Sequence, residues 1–566
     1  MNAGQPIEHP TSAALTPSAF YEAGLQHMQA GRHLEAQLCC RQALATDPNH
    51  ADSLHLMGLL CLQARQYDHA VEWTARANQQ DLSTDYLFSL GTALEQQGLH
   101  QEALKAYDRA VQLKPGDVEL WASRGTILHR LRRFEEAVAD NLRAHALNPA
   151  SPYICNNVGA ALQLLRRDEE ALSWFDKALA LKPDLIMALI NKASSLAQLR
   201  RLDEAVEVYN QVKALDPANT EADSYLSLIH LLLGNFESAW TGYKARWKGH
   251  LAPRSYPDFQ KHLWLGQEDV AGKTILIFAD EGIGDTIQLA RYIPMLAARG
   301  AKIILVVEEA LRSLLSGLEG LTHCVGKSSP LPPYDLHCPI TTLPFALGTR
   351  LETIPSSASY LPPLPQGRVE AWERRLSERG GASGKRRVGL VWSGNPLHTN
   401  DHNRSIPLRM LSPLLSADAT FVSLQKEPRP EDKALLQESA IIDLTSEISD
   451  FTDTAALVSC LDLVISVDTS VAHLAAALGR PTWILLPYLP DFRWLLDRDD
   501  NPWYPTVRLF RESAAREWAE VIDRVRSALD ELDPRLPQAP HILPSSRASE
   551  HSERDPGPIP RNLSIE

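Results

Sequence analysis

Alanine stands at 103, 137, 171, 205 and 239 and proline at 115, 149, 183 and 217, and each series advances by 34 residues. Such a step means that one supersecondary unit recurs and that each copy buries its apolar face on its neighbours. Gly24, Gly58, Gly91, Gly125 and Gly159 fall on the first helix of a unit, and Ala36, Ala70, Ala103, Ala137, Ala171, Ala205 and Ala239 on the second. Small residues there let two helices approach closely. Tyr107, Phe175, Tyr209 and Tyr243 are expected to fill the groove towards the next hairpin. Pro48, Pro115, Pro149, Pro183 and Pro217 end the second helices, because proline lacks an N–H and clashes with the preceding turn. Units are predicted to begin at Thr16–Pro17, Ala51, Thr84, Val118, Pro152, Ile186 and Thr220, giving about seven hairpins over residues 17–248.

A 34-residue helix–turn–helix period is that of the tetratricopeptide repeat. An α-solenoid of this kind offers an extended concave face, and its expected work is recognition of a protein or other macromolecule. Dimerisation or spacing is the alternative.

Near Trp247 the period ends. Short β-branched runs now alternate with helical stretches, the pattern of an α/β fold with parallel sheets. Thr274–Phe278 is predicted as a strand, followed by the turn Asp280-Glu281-Gly282-Ile283-Gly284-Asp285, a helix through Ala298 and a strand at Lys302–Val307. The turn lacks the third glycine and the distal acid of a dinucleotide fingerprint, which excludes a nicotinamide site. The proline-rich passage at Leu361–Pro365 and the charged segment that follows imply two lobes, 249–365 and 386–532, with a linker at 366–385. Residues 1–16 and the Pro- and Ser-rich tail 533–566 are expected to be disordered.

Ligands of parallel sheets sit beyond the carboxyl ends of strands, so each loop after a strand is a candidate site. Three stand out: the polar segment Ser393–Ser405, which contains Arg404; the pair Gln425-Lys426; and Asp468-Thr469-Ser470-Val471-Ala472-His473 opening a helix that stops at Gly479. Free N–H groups at Thr469–Val471, with the helix dipole, suit a phosphate; plain capping by Asp468 and Thr469 is the competing explanation.

Taken in order, Gly-x-Gly-Asp after the first strand, Trp-Ser-Gly-Asn with a later arginine, Ser-Leu-Gln-Lys and Asp-Thr-Ser-Val-Ala-His resemble the heptosyltransferase superfamily, glycosyltransferase family 9. The resemblance covers roughly Thr274 to Arg511, and is closest to bacterial members in which this domain follows tetratricopeptide repeats. It implies two facing Rossmann-like lobes of GT-B type and an inverting, metal-independent transfer from a nucleotide-diphosphate sugar, with no cofactor. By position it makes Asp285 the general base, with Glu281 in reserve. Asp468, Thr469, Ser470, Val471 and His473 would contact the donor, as would Gly282 and Gly284. Ser470 replaces the family's usual glycine. Arg404 and Lys426, with Gln425, are expected to counter diphosphate charge, and Asp491, Arg493 and Trp494 either wall the nucleotide base or pack the core.

A formal net charge of −14 over 566 residues argues against a broad hold on nucleic acid or an anionic membrane. The amino-terminal residues read as no signal peptide, and seven cysteines without framework spacing fit a reducing, cytoplasmic setting. His323-Cys324 and His337-Cys338 look like strand residues rather than metal ligands, so no metal is expected. The expected activity is sugar transfer to a macromolecular acceptor, a protein, positioned by the repeats; a scaffold whose transferase domain no longer turns over is the alternative.

Overall fold

The computed structural model describes residues 16–243, 256–257, 259–379, 384–398 and 400–532. The expectations of disorder for 1–15 and 533–566 lie outside them. The chain divides into two compact units, the first running to Ile229 and taking Gly242–His250, the second taking His230–Thr241 together with the residues from Leu251 on.

In the first unit helices begin at Pro17, Ala51, Thr84, Val118, Pro152, Ile186 and Thr220, where the repeat places them. Each partner helix closes two residues before the expected proline, as at Leu113, Leu147, Leu181 and Leu215. The aromatic positions differ from expectation. A Cβ on Gly159 would come within 2.5 Å of the Phe175 ring, and one on Gly91 within 2.8 Å of the Tyr107 ring. The ring therefore fills the hollow left by the glycine of its own hairpin, and does not mainly reach for the next. Where Gly125 faces Asn141 and Gly58 faces Thr74, a smaller side chain fills the same hollow. Tyr209 behaves as expected, stacking on Tyr225 of the following hairpin with ring centroids 5.3 Å apart. Tyr243 lies outside the described side chains. The turn inside each hairpin needs a left-handed residue; Gly31, Gly98 and Gly234 supply it in three hairpins, and Arg65, Arg132, Arg166 and Arg200 in the other four, at φ 56–61°.

The second unit holds two sheets in which every described pair is parallel. The first is built from β1 (His262–Leu263), β2 (Thr274–Phe278), β3 (Lys302–Val307), β4 (Leu321–Gly326) and β5 (Leu336–Pro339), in the order β1-β5-β2-β3-β4. The second uses β6 (Arg386–Val391), β7 (Ala419–Ser423), β8 (Ile442–Asp443), β9 (Leu463–Val467), β10 (Thr482–Leu486) and β11 (Val507–Arg511), in the order β11-β10-β9-β6-β7-β8. Strand order reverses between β2 and β5 in one sheet and between β6 and β9 in the other. Parallel sheets open a crevice at such reversals, beyond the carboxyl ends of the strands. The sequence singles out the turns after β2, β6 and β9, which follow strands at or beside these reversals, and also the turn after β7.

Three local expectations change. The helix after β2 does not run unbroken to Ala298: Ile283–Leu289 gives way to a 3₁₀ turn at Ala290–Tyr292 before Ile293–Ala298 resumes. Pro294 sits in the first turn of that second piece, where its missing N–H costs nothing. The span expected as a linker is mostly the helix Gln366–Glu378, whose Trp372 and Leu376 are buried with Val391, Val422 and Leu457 of the second sheet's layers. The last helix of the repeats, Phe236–Tyr243, contributes Phe236, Ala239 and Trp240 to the α/β core, and Trp240 donates its indole N–H to the Thr349 carbonyl at 2.8 Å.

Candidate functional site

The turn after β2 presents Asp285 from the first turn of the helix Ile283–Leu289. Its Oδ2 accepts the Gly282 N–H at 3.1 Å, which fixes the carboxylate at the helix start. Its Oδ1 accepts from the Arg493 guanidinium, which comes from the loop after β10. Arg493 also donates to Asp491 Oδ1 at 2.6 Å, and Asp491 accepts the Arg493 backbone N–H at 3.0 Å. Burial works against the charge of Arg493, but Asp285, Asp491 and Asp468 together outweigh it and hold the guanidinium more firmly protonated than usual. Glu281, in the same turn, is exposed.

The turn after β9 brings Asp468 and His473 beside it. Thr469 caps the helix Ser470–Ala477 without using its side chain as an acceptor; its hydroxyl instead lies 3.0 Å from Ser466 Oγ. The amino end of that helix thus keeps its N–H groups clear of the cap side chain. Asp468 Oδ1 is 3.7 Å from His473 Nε2. Burial would raise the Asp468 carboxyl, but His473, with the Trp494 indole and Arg404 nearby, holds it below the ordinary carboxylate range. His473 is buried, with Nδ1 3.0 Å from the Tyr504 hydroxyl and its ring stacked at 5.2 Å on Trp494.

These two turns touch. A Cβ on Gly284 would lie 2.8 Å from His473 Cδ2 and 3.5 Å from the Ser470 Cα, so only glycine lets the helix after β2 sit this close to the helix after β9. Asp285 and the Asp468–His473 pair consequently share one charged neighbourhood, with Arg493 among them.

From the loop after β6, Arg404 Nη1 donates to the Asp468 carbonyl at 3.0 Å. Asp401 is buried beneath it, accepting from Ser405 Oγ at 2.7 Å and from Arg429. Gly394 is the residue that admits Arg404, since a Cβ there would fall 2.8 Å from its Nη2. His398, exposed in the same loop, lies within the field of Arg404, Asp468 and Asp491; partial desolvation, then Arg404, push its imidazole down.

Four expected site residues face elsewhere. Gln425 is buried, and its carbonyl oxygen accepts the Trp392 and Ser393 N–H groups at 3.2 and 3.0 Å, so it shapes the loop after β6. Lys426 is exposed and donates to the Ile448 carbonyl at 3.0 Å. Trp494 is fully buried against His473 and Tyr504, so it packs the core and walls no open surface. Val471 is half-buried against the apolar layer that holds Trp372. Sequence reasoning missed the partnership of Arg493 with Asp285; a lone basic residue in a loop of aromatics was the available signal.

Among the described residues no group of three or more His, Cys, Asp or Glu is arranged to hold a metal ion. No helix among them is long and apolar enough to cross a membrane.

Comparison with known proteins places names on both units. Residues 88–153 and 190–246 match a family model described as tetratricopeptide repeat, and residues 29–110 match that of anaphase-promoting complex, cyclosome, subunit 3. Residues 426–485, which run from Lys426 through the Asp468–His473 turn to β10, match glycosyltransferase family 9 (heptosyltransferase). The chain joins a segment that matches tetratricopeptide repeats to one that matches glycosyltransferase family 9. Protein FlbA of Caulobacter vibrioides is 27% identical over 325 residues, 53% of this chain and 53% of FlbA. The chain thus spans about half the length of that curated relative. Among solved structures, YrrB, a TPR protein with an unusual peptide-binding site, shares 23% identity over 30% of this chain and 89% of its own, at a TM-score of 0.29. Pseudomonas aeruginosa pilF shares 21% over 37% of this chain and 96% of its own, at 0.33.

Proposed function

We propose that the tetratricopeptide–family 9 chain is a glycosyltransferase of GT-B type, its two sheets forming facing lobes, that moves a sugar from a nucleotide-diphosphate donor to a macromolecular acceptor, a protein, selected by the repeats. The observation that carries this reading is the meeting of the turns after β2 and β9, with Gly284 against His473 and the Asp285 carboxylate in the same charged group as Asp468. An inverting transfer needs a carboxylate to take the acceptor's proton while the diphosphate departs from the opposite face of the anomeric carbon. Asp285 is assigned that proton. The helix amino end at Ser470 and the Arg404 guanidinium are assigned the departing diphosphate, whose growing charge they stabilise. His473 and Asp468 orient the donor, and metal-independent chemistry follows from cations taking the place of a divalent ion. Lys426 and Gln425 are assigned no direct donor contact: Lys426 is engaged with the Ile448 carbonyl, and Gln425 supports the loop that carries Arg404. The concave face of the solenoid is assigned the acceptor.

The test is thermal unfolding of the full chain with ADP-, UDP-, GDP- and dTDP-sugars, with Asp468→Ala as control. A donor present at 100 times its dissociation constant adds about 2.7 kcal/mol. A shift for one nucleotide that Asp468→Ala abolishes supports the reading; no shift with any of them replaces it with a repeat scaffold. With the donor known, Asp285→Asn is expected to lower kcat by about 10²–10⁴ without weakening donor binding.

A further inference from the structure

The Asp285 carboxylate has neither oxygen clear. Oδ2 accepts the Gly282 N–H and Oδ1 accepts from Arg493, so the group assigned the acceptor's proton is neutralised by a cation from another loop. We propose that Arg493 is a side-chain latch on the base: it holds Asp285 in the structure described here, and a donor diphosphate draws it away, so that the carboxylate can accept a proton only once a donor has arrived. This inference rests on the transferase reading above.

Two further observations carry it. The first is the charge count around the guanidinium. Asp285, Asp491 and Asp468 all act on Arg493, while Arg404 is the other cation that touches this group, through the Asp468 carbonyl. A diphosphate entering beside three carboxylates is repelled unless a cation turns towards it, and a planar guanidinium offers the paired donors that phosphate oxygens accept best. The second is the backbone. Leu495, two residues on, sits at φ 51° and ψ −166°, a region that bulky side chains avoid. What keeps it there is a clamp: Arg511 donates to the Trp494, Leu495 and Arg498 carbonyls at 2.6, 3.0 and 2.9 Å, and Asn501 donates to the Arg493 carbonyl at 2.8 Å. With the main chain fixed at that cost, the guanidinium changes partners by side-chain rotation alone, and the loop stays where it is.

The latch also follows the charge of the reaction. The acceptor's hydroxyl proton passes to Asp285 Oδ1 as its oxygen bonds the anomeric carbon; the bond from that carbon to the diphosphate oxygen breaks and its electron pair leaves with the diphosphate. Negative charge thereby moves from the carboxylate to the leaving group, and Arg493 moves from the first to the second.

Inorganic pyrophosphate is the probe, titrated by calorimetry into the full-length chain as wild type, Asp285→Asn, Arg493→Gln and the double variant. Removing the carboxylate that occupies Arg493 is expected to tighten pyrophosphate binding about tenfold, and less than about threefold in the Arg493→Gln background, where only general repulsion is relieved. Should Arg493→Gln fold poorly, Arg493→Lys, which keeps the charge but loses the paired donors, takes its place, and the gain from Asp285→Asn is expected to be smaller there than in the wild type. An equal gain in both backgrounds, or none in either, overturns the latch and leaves the donor site standing. Pyrophosphate that binds no variant overturns the donor site and the latch together.

Discussion

In the solenoid the side chain that fills a gap is a near neighbour in sequence: Phe175 lies sixteen residues after Gly159, and Tyr107 sixteen after Gly91. In the α/β unit the corresponding links are long. Arg291 donates to the Trp503 carbonyl across 212 residues, and Arg493 reaches Asp285 across 208. One unit repeats a short-range solution, so damage to a hairpin should stay with its neighbours. The other depends on a few cross-links between distant segments, so a single loss is felt throughout.

The largest expected effect tests that dependence. Arg291 is almost wholly buried and donates to the Gln288, Pro355 and Trp503 carbonyls and to the Tyr360 hydroxyl, with its guanidinium carbon 4.5 Å from the centroids of the Tyr360 and Tyr504 rings. Arg291→Met leaves those acceptors unpaired and should cost the α/β unit about 3–5 kcal/mol. Followed by calorimetry, the α/β transition should fall while that of the solenoid holds. A joint shift of both transitions would show that the units do not keep their stability separate.

Gly159→Ala is the matching test in the solenoid. Alanine favours a helix by up to about 1 kcal/mol over glycine, yet its methyl would meet the Phe175 ring at 2.5 Å, and overpacking of that kind costs about 1–3 kcal/mol. A net loss is expected, recovered in part by Phe175→Leu, with the α/β transition unmoved. A net gain from Gly159→Ala alone would mean that the ring yields, and that the glycine is not there to receive it.

The same contrast decides what could be read in advance. Every hairpin start was legible, because the period repeats one local solution seven times and errors in one copy are corrected by the others. Strands Thr274–Phe278 and Lys302–Val307 were legible because runs buried on both faces are continuous in β-branched and aliphatic residues. The helix Gln366–Glu378 was hidden by its charge, since only Trp372 and Leu376 mark its buried face. Asp285 and Asp468 were legible through the turns that hold them; for Arg493 a lone basic residue among aromatics was a signal without a partner, and nothing marked the turn of Lys426 to Ile448. Those are choices of rotamer and partner across the fold, which no spacing encodes.

Acid should also separate the units. The folded Asp468 carboxyl titrates below its unfolded value, so the stability it contributes is present above about pH 4 and is lost as pH falls through the folded value. Asp468→Asn should flatten that part of the acid dependence of the α/β transition, which thermal unfolding between pH 5 and about pH 3 would show. An unchanged slope would mean that His473 and its neighbours do not favour the charged form.

The smallest effect returns to the hairpin turns. Arg65 occupies at φ 56° the position that Gly31 and Gly98 take in the adjacent hairpins, and it is exposed. A left-handed backbone costs a residue with a Cβ about 1 kcal/mol, against which glycine's greater freedom in the unfolded chain must be set. Arg65→Gly should therefore stabilise the solenoid by about 0.5 kcal/mol, read as a small rise in its transition alone. Strain in this unit is a local matter that one substitution removes. At Leu495 it is held by Arg511 and Asn501 beside the residue that pairs with Asp285, and a glycine there would also leave a cavity, because Leu495 is buried. A loss of stability from Arg65→Gly would break the comparison at its simplest point, since the arginine would then be supplying a contact worth more than the strain it carries.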